Sequence, residues 1–365
     1  MEQRLDHLQP PAGVNGINYM DISALKLAIQ QHMSDGLVTI VGSGLSCAEG
    51  IPGMDALAGH LCSAMPSLVS GSLLGEWSSL SPNITSYGLE EGLTKIAPST
   101  DLEEIIRAEV GSVVSKAEAA ITAEVFAGRR TLRFTRLLPH LLRPTGGIQV
   151  VTTNYDRLLE VASEEAGLGV DVMFNGVFAA RLNERETRLS FCRDVKLHKG
   201  TSRFLYAERV VISKPHGSLD WYERSGEPVR HCGQLKNVPR LIIPPGQNKY
   251  RNGYSSPFDV HRERGNKEID RAARLLIIGY GFNDVHLETH LTERIRKGTP
   301  TVILARTLSD NAKKIVSANS NVIALESAVV SGTVATRVFS HGSTDIFAGL
   351  SLWDLEQLVK EVFEP

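Results

Sequence analysis

The chain has 365 residues, 42% hydrophobic and 22% charged, which suits a folded globular protein long enough to bury a large core and carry an inserted subdomain. Its 39 basic and 41 acidic side chains give a formal net charge of -2, which excludes a whole-molecule drive toward nucleic acid or anionic membrane. No apolar run approaches the roughly 18 residues of a spanning helix, and the opening MEQRLDHLQP lacks a signal-peptide core, so a cytoplasmic protein without direct membrane binding is expected.

Residues 1–20 contain Pro, Gly and Asn and read as a loose or partner-packed segment. Asp21 opens a helical pattern, with Ile22, Leu25, Leu27, Ile29 and Met33 recurring up to Gly36, so residues 1–36 form an N-terminal segment and helix. Leu37 to Val41 is an apolar run suited to a strand buried on both faces, and it ends in a glycine-rich turn before a helix start. Gly42 and Gly44 permit a tight turn and close approach to a ligand. The amide groups of this turn and the helix N-terminus beyond would then face a pyrophosphate. Cys47 stands where the dinucleotide fingerprint has its third glycine, so this turn alone reads equally as an ordinary strand-turn-helix.

A helical insertion is expected over about 55–145, with helix-like parts at Ala56 to Ala64, Leu102 to Val125 and Leu132 to Leu142 around a Ser- and Gly-rich span at 67–100. Arg129, Arg130, Arg133 and Arg136 in this region read as a solvated face or an oligomer contact more readily than as a nucleic-acid patch. From 148 the chain alternates. Strands are expected at 147–154, Val170 to Phe174, 186–213 in two pieces around His198-Lys199-Gly200, Leu241 to Ile243, Arg274 to Gly279, Thr301 to Ala305 and Asn321 to Leu325. Helices are expected at Tyr155 to Ala166, Glu268 to Ala273, Asn283 to Lys297 and from the Ser309 cap to Val316. The polar stretch Gly246 to Asn266, with Tyr250, Tyr254 and Phe258, reads as a long loop over the active face. This rhythm predicts an α/β fold, a doubly wound, Rossmann-like parallel sheet with an inserted helical subdomain, spanning 37–326. The extension 327–365 ends in an amphipathic helix whose stripe of Leu352, Leu355, Leu358, Val359 and Val362 must dock on this subunit or another.

Three later segments, VVTTNYD at 150–156, KPHGSLDW at 214–221 and LLIIGYGFND at 275–284, each place polar or glycine residues after a β-rich run. All could meet with the first turn at the carboxyl edge of one parallel sheet. In this order the set resembles the sirtuin family over roughly residues 37–325: Gly42, Gly44 and Ser46 with Gly50-Ile51-Pro52, then Asn154 with Asp156, His216-Gly217 and a final Gly-rich strand end. It is most similar to the sirtuin-like NAD hydrolases of prokaryotic anti-phage defence. The resemblance implies Asn154 and His216 as the catalytic pair and Asp156 as a ribose-orienting or supporting acid. It implies Gly42, Ser43, Gly44 and Ser46 on the diphosphate, Ile51 and Pro52 at the nicotinamide, and Gly279, Gly281 and Asp284 at the adenosine half, with Asp284 also capping a helix.

Residue chemistry agrees with those roles and admits simpler ones. Cleaving the nicotinamide–ribose bond gives an oxocarbenium-like centre, so the protein must orient the ribose and place one nucleophile. An amide such as Asn154 can hold a water, and an imidazole such as His216 can accept its proton. The plainer readings are an Asx turn at Asn154, a satisfied structural histidine at His216 and a helix cap at Asp156. Lys214 and Trp221 read as structural. Cys47, Cys62, Cys192 and Cys232 form no C-x-x-C pair, a departure from the zinc-bearing deacetylases of the family. No metal is therefore expected, although Cys192, His198, His231 and Cys232 are conceivable ligands. The expected function is an NAD glycohydrolase, with NAD as substrate and no zinc. The rivals are an NAD-dependent protein deacylase and a non-catalytic NAD or ADP-ribose-binding scaffold. Free NAD destruction would kill a host, so gating by homo-oligomerisation or a partner is expected. The resemblance points to a HerA-type ATPase, with nucleic acid reached only through it.

Overall fold

Short apolar runs that must be covered on both sides organise this chain. The computed structural model describes residues 21–198, 200–235, 238–244, 246 and 255–364. Residues 1–20, Lys199, Tyr250 and Tyr254, and with them parts of the expected N-terminal segment, basic turn and long loop, lie outside the described residues. The central sheet has nine strands. In chain order these are β1 (Leu37–Val41), β2 (Ile148–Thr152), β3 (Gly169–Asp171), β8 (Arg209–Ser213), β12 (Arg274–Ile278), β13 (Thr301–Ala305), β14 (Val322–Val330), β15 (Thr333–Ser340) and β16 (Ser343–Ala348).

Their spatial order is β16-β15-β14-β13-β12-β1-β2-β8-β3. From β3 to β14 every pairing is parallel, and β14, β15 and β16 are antiparallel. The doubly wound parallel sheet expected from the sequence is thus present. Side chains alternate between two cores: Leu276, Ile278, Val302 and Leu304 face one, while Leu275, Ile277, Ile303 and Ala305 face the other. Two-sided burial is why these strands are unbroken apolar runs.

Between β1 and β2 lie α2 (Ser43–Glu49), α3 (Met54–Leu68), α4 (Ser72–Tyr87), α5 (Leu89–Lys95), α6 (Thr100–Phe126) and α7 (Arg133–Leu137). The Ser- and Gly-rich span at 67–100 is therefore largely helical. It buries Trp77, Leu80, Ile84, Leu89 and Leu93, an apolar stripe diluted by serine. Before β1 comes α1 (Ile22–His32), and α8 (Leu158–Glu165) follows β2. A second, five-stranded antiparallel sheet, absent from the expectation, is ordered β11-β9-β10-β5-β4, from β4 (Phe174–Asn175), β5 (Ala180–Leu182), β9 (Gly217–Arg224), β10 (Glu227–Arg230) and β11 (Arg240–Ile242). The helix α9 (Glu184–Ser190) leads to a hairpin of β6 (Cys192–His198) and β7 (Thr201–Tyr206).

The expected long loop is shorter than its composition suggests. Helix α10 (Phe258–Arg271) starts within it, because its inner face is carried by Phe258, His261, Arg264, Gly265 and Ile269, a set without a continuous apolar stripe. After β12 come α11 (Val285–Arg296) and, after β13, α12 (Asp310–Ala318). β14 runs on to Val330, beyond the expected end at Leu325, and feeds β15 and β16. The last helix, α13 (Leu355–Phe363), buries Leu355, Leu358, Val359 and Val362 on its own subunit. Glu361 pairs with Lys26 at 2.9 Å and Phe363 stacks on His140 with centroids 4.8 Å apart. Among the described residues no helix is long and apolar enough to cross a membrane.

Candidate active site

The chain leaves β1 for β2 on one side and later returns to β12 on the other. The crevice at the carboxyl ends of β1, β2 and β12 is therefore the place where an open α/β sheet receives ligands. Four turns converge there, after β1, β2, β8 and β12. The resulting cleft is lined by Ser43, Ser46, Ile51, Pro52, Asn154, Asp156, His216, Gly281 and Asp284. A second cavity on the other flank of the first turn is lined by Gly44, Leu45, Ala48, Gly279, Arg306 and Trp353, and Cys47 borders both. Gly42 lines neither.

Steric crowding fixes the glycines. A β-carbon on Gly42 would lie 2.4 Å from the Gly279 carbonyl oxygen and 2.5 Å from Tyr280 Cα, and one on Gly44 would lie 2.7 Å from Gly279 Cα. The Gly42 amide donates to Ile278 O at 2.9 Å and the Gly44 amide to Gly279 O at 3.0 Å. The expectation that both amides face a phosphate is thus corrected: they bind the neighbouring turn, and the close approach their lack of a side chain permits is to protein backbone. Ser43 and Ser46 are the members of this turn that face the cleft.

Asn154 is 7% exposed, and its side-chain nitrogen donates to Gly42 O at 2.9 Å and Ser46 Oγ at 2.8 Å. The Gly42 carbonyl can only accept, so the amide nitrogen must face it. The Asn154 carbonyl oxygen then remains without a protein partner among the described residues. Asp156 Oδ1 accepts from Leu158 N at 3.2 Å at the start of α8, and its main-chain oxygen accepts from Lys214 Nζ at 2.6 Å. Lys214 is fully buried and also reaches Glu160 at 2.8 Å, so it clamps the β2 and β8 turns together.

His216 Nε2 lies 2.5 Å from Asp284 Oδ2. The His216 carbonyl accepts from Ile243 N at 2.9 Å, and the Ile243 carbonyl accepts from the Tyr155 hydroxyl, tying the histidine to the turn that carries Asn154. Burial, ahead of nearby Glu90 and Asp284, pushes the Tyr155 phenol upward, so it stays a hydroxyl donor. Burial, then Asp156, likewise raises the Cys47 thiol, which makes it a poor nucleophile.

Residues 149–323 match the family model for the SIR2-like domain. The SIR2-like segment begins in β2 and ends in β14, so it contains Asn154, Asp156, His216, Gly279, Gly281 and Asp284 and leaves out the glycine turn at 42–46. Among solved structures, the chain is similar to a Sir2 homologue mutant in complex with ADP-ribose, at 13% identity over 94% of this chain and 95% of that one, with a TM-score of 0.42. It is also similar to Sir2Tm bound to a propionylated peptide, at 12% identity over 94% of this chain and 98% of that one, with a TM-score of 0.44. A third similar structure concerns sirtuin substrate affinity, at 13% identity, 94% and 99% coverage and a TM-score of 0.45. No curated protein matches the chain.

Sequence reasoning missed several residues of the cleft and its neighbour. Tyr155, Tyr280 and Asn283 sit inside motifs already singled out, where the flanking residues drew the attention. Glu90 comes from the serine-rich span, and Arg306 and Trp353 from strand and tail ends; none of these carries a local signal. Among the described residues no cluster of three or more His, Cys, Asp or Glu could hold a metal ion.

Proposed function

We propose that this protein is a sirtuin-like NAD glycohydrolase that releases nicotinamide and leaves ADP-ribose. The observation that carries the reading is the convergence of the unpartnered Asn154 carbonyl and the His216 imidazole on one cleft, with Asn154 bonded to Ser46 of the first turn from 108 residues further along the chain. The SIR2-like match over residues 149–323 supports NAD as the substrate. Departure of nicotinamide with the bonding electrons leaves an oxocarbenium-like ribose. The Asn154 oxygen accepts a hydrogen bond from the attacking water and aims its lone pair, and His216 takes the proton released as the new C–O bond forms. Ser43 and Ser46 offer hydroxyls to the diphosphate, with Ile51 and Pro52 against nicotinamide. Gly44, Gly279 and Arg306 in the second cavity suit the adenosine half, so the dinucleotide straddles the first turn.

In this reading the activity depletes NAD in anti-phage defence within the cytoplasm. It is gated by homo-oligomerisation or by a HerA-type ATPase. Incubation of the purified chain with NAD, alone and with such an ATPase, should release nicotinamide, and Asn154→Ala and His216→Ala should each reduce release at least about 100-fold, the scale of losing a positioned acid–base group. Release only in the presence of an acylated lysine peptide would make it a deacylase. Ligand-induced thermal stabilisation without turnover under every condition would leave a binding scaffold.

A further inference from the structure

Asp284 does two things at once. Its Oδ1 accepts from Leu287 N at 3.0 Å, capping α11, while its Oδ2 meets His216 Nε2 at 2.5 Å. The two side chains are only 12% and 10% exposed, so little water competes for the contact. The turn bearing Asp284 is tightly held: Ser309 Oγ donates to Gly281 O at 2.5 Å and Asn311 Nδ2 to Phe282 O at 2.9 Å. Phe282 is fully buried with φ of 55°, a conformation a bulky residue keeps only when its surroundings over-determine it.

We propose that Asp284 is the positioning residue for His216: its carboxylate accepts the Nε2 proton, fixes the tautomer that leaves Nδ1 as the proton acceptor, and stabilises the imidazolium formed during turnover. This is the general pattern of a base oriented by a third group, and it rests on the glycohydrolase reading. Other titratable groups share the cleft, namely Tyr155 and Asp156 after β2, Glu90 from α5, Cys47 from α2 and Tyr280 after β12. Among the described residues, Asp284 is the one bonded to the ring.

The cap and the pair separate experimentally. Asparagine caps a helix as well as aspartate does, so Asp284→Asn keeps the Leu287 bond and sets an uncharged NH2 donor where the carboxylate accepted from His216. With full-length protein, Asp284→Asn should melt close to the wild type and lower kcat at least tenfold with KM little changed. Asp284→Ala should lose stability as well. By 15N–1H correlation spectroscopy, wild-type His216 should carry its proton on Nε2, and Asp284→Asn, whose NH2 can only donate to that nitrogen, should shift the proton to Nδ1. An unmoved ring proton and an unchanged kcat in Asp284→Asn would overturn the pairing. A wild type inert toward NAD whose His216 still responds to Asp284→Asn would sink the glycohydrolase reading and, with it, a catalytic use of the pair.

Discussion

At Gly42 a hydrogen in place of a methyl group sets the geometry of the cleft. Its φ of -104° is open to any residue, so the requirement for glycine is one of space alone. Alanine there would press on the Gly279 carbonyl and Tyr280 Cα, both backbone atoms that cannot swing aside. Gly42→Ala should therefore destabilise by roughly 1–3 kcal/mol, the usual cost of overpacking. It should also reduce nicotinamide release, because the Gly42 carbonyl that tethers Asn154 must shift. A methyl group added at Gly59 in α3 would meet nothing within 4 Å, so Gly59→Ala should be neutral or gain up to about 1 kcal/mol in helix propensity. Urea midpoints check both, and equal stability of the two variants would refute the argument. The sequence made the need for close approach at Gly42 and Gly44 legible. It could not say that the approaching group was Gly279, because that contact exists only once β1 and β12 are side by side.

Elements were legible to the degree that they are buried on both sides. Thr301–Ala305 is fully covered and its bounds could be read directly, whereas β15 and β16 are partly exposed, with Val334 and Ile346 at the surface and the polar Thr336, Ser340 and Asp345 buried, so neither reads as an apolar run. A signal for that meander did exist, since Ser331-Gly332 and His341-Gly342 are two-residue turns with positive φ throughout. The arginine cluster was legible as charge but not as purpose. Arg129 pairs with Glu124, Arg130 and Arg133 reach the buried Glu49, Arg133 also reaches Asp354 at 3.1 Å, and Arg136 lies 3.8 Å from Glu356. The contacts of Arg130, Arg133 and Arg136 staple α2, which carries Ser43 and Ser46, to α7 and α13, whereas Arg129 pairs at the exposed end of α6 and fits the solvated-face reading. Arg133→Met should cost roughly 3 kcal/mol, because it leaves the buried Glu49 less compensated. In a double-mutant cycle, Arg133→Met with Asp354→Asn should show a coupling above about 0.5 kcal/mol, while the exposed Lys360–Glu356 pair should fall at or below that value. A coupling near zero for the first pair would mean that the Arg133–Asp354 contact does not help to hold α13.

For the molecule as a whole, acid should attack the packing of helices on the sheet before it attacks the ion pairs. His32 at the end of α1 is 5% exposed and its Nε2 donates to Leu275 O in β12 at 2.9 Å. Burial, the largest cause, holds its pKa down at about 4 from an ordinary 6.5, against the opposing hydrogen bond to Leu275 and with help from Arg274. His261 in α10, which accepts from Lys214 N at 3.2 Å, is likewise lowered by burial, then by Arg264 and Lys214. For such a group the unfolded chain takes up a proton first as pH falls. Stability is therefore complete above about pH 6.5 and drains away down to the folded pKa. For His32 that window spans about 6.5 to 4 and is worth on the order of 3 kcal/mol. Glu118, raised mainly by burial, works the other way and gains as pH falls through its folded pKa. The histidines should dominate, so the urea midpoint should fall between about pH 6.5 and pH 4.5. His32→Gln, whose amide can still donate to Leu275 O but does not titrate, should flatten a measurable part of that slope. A His32→Gln slope identical to that of the wild type would show that α1 does not carry this acid sensitivity.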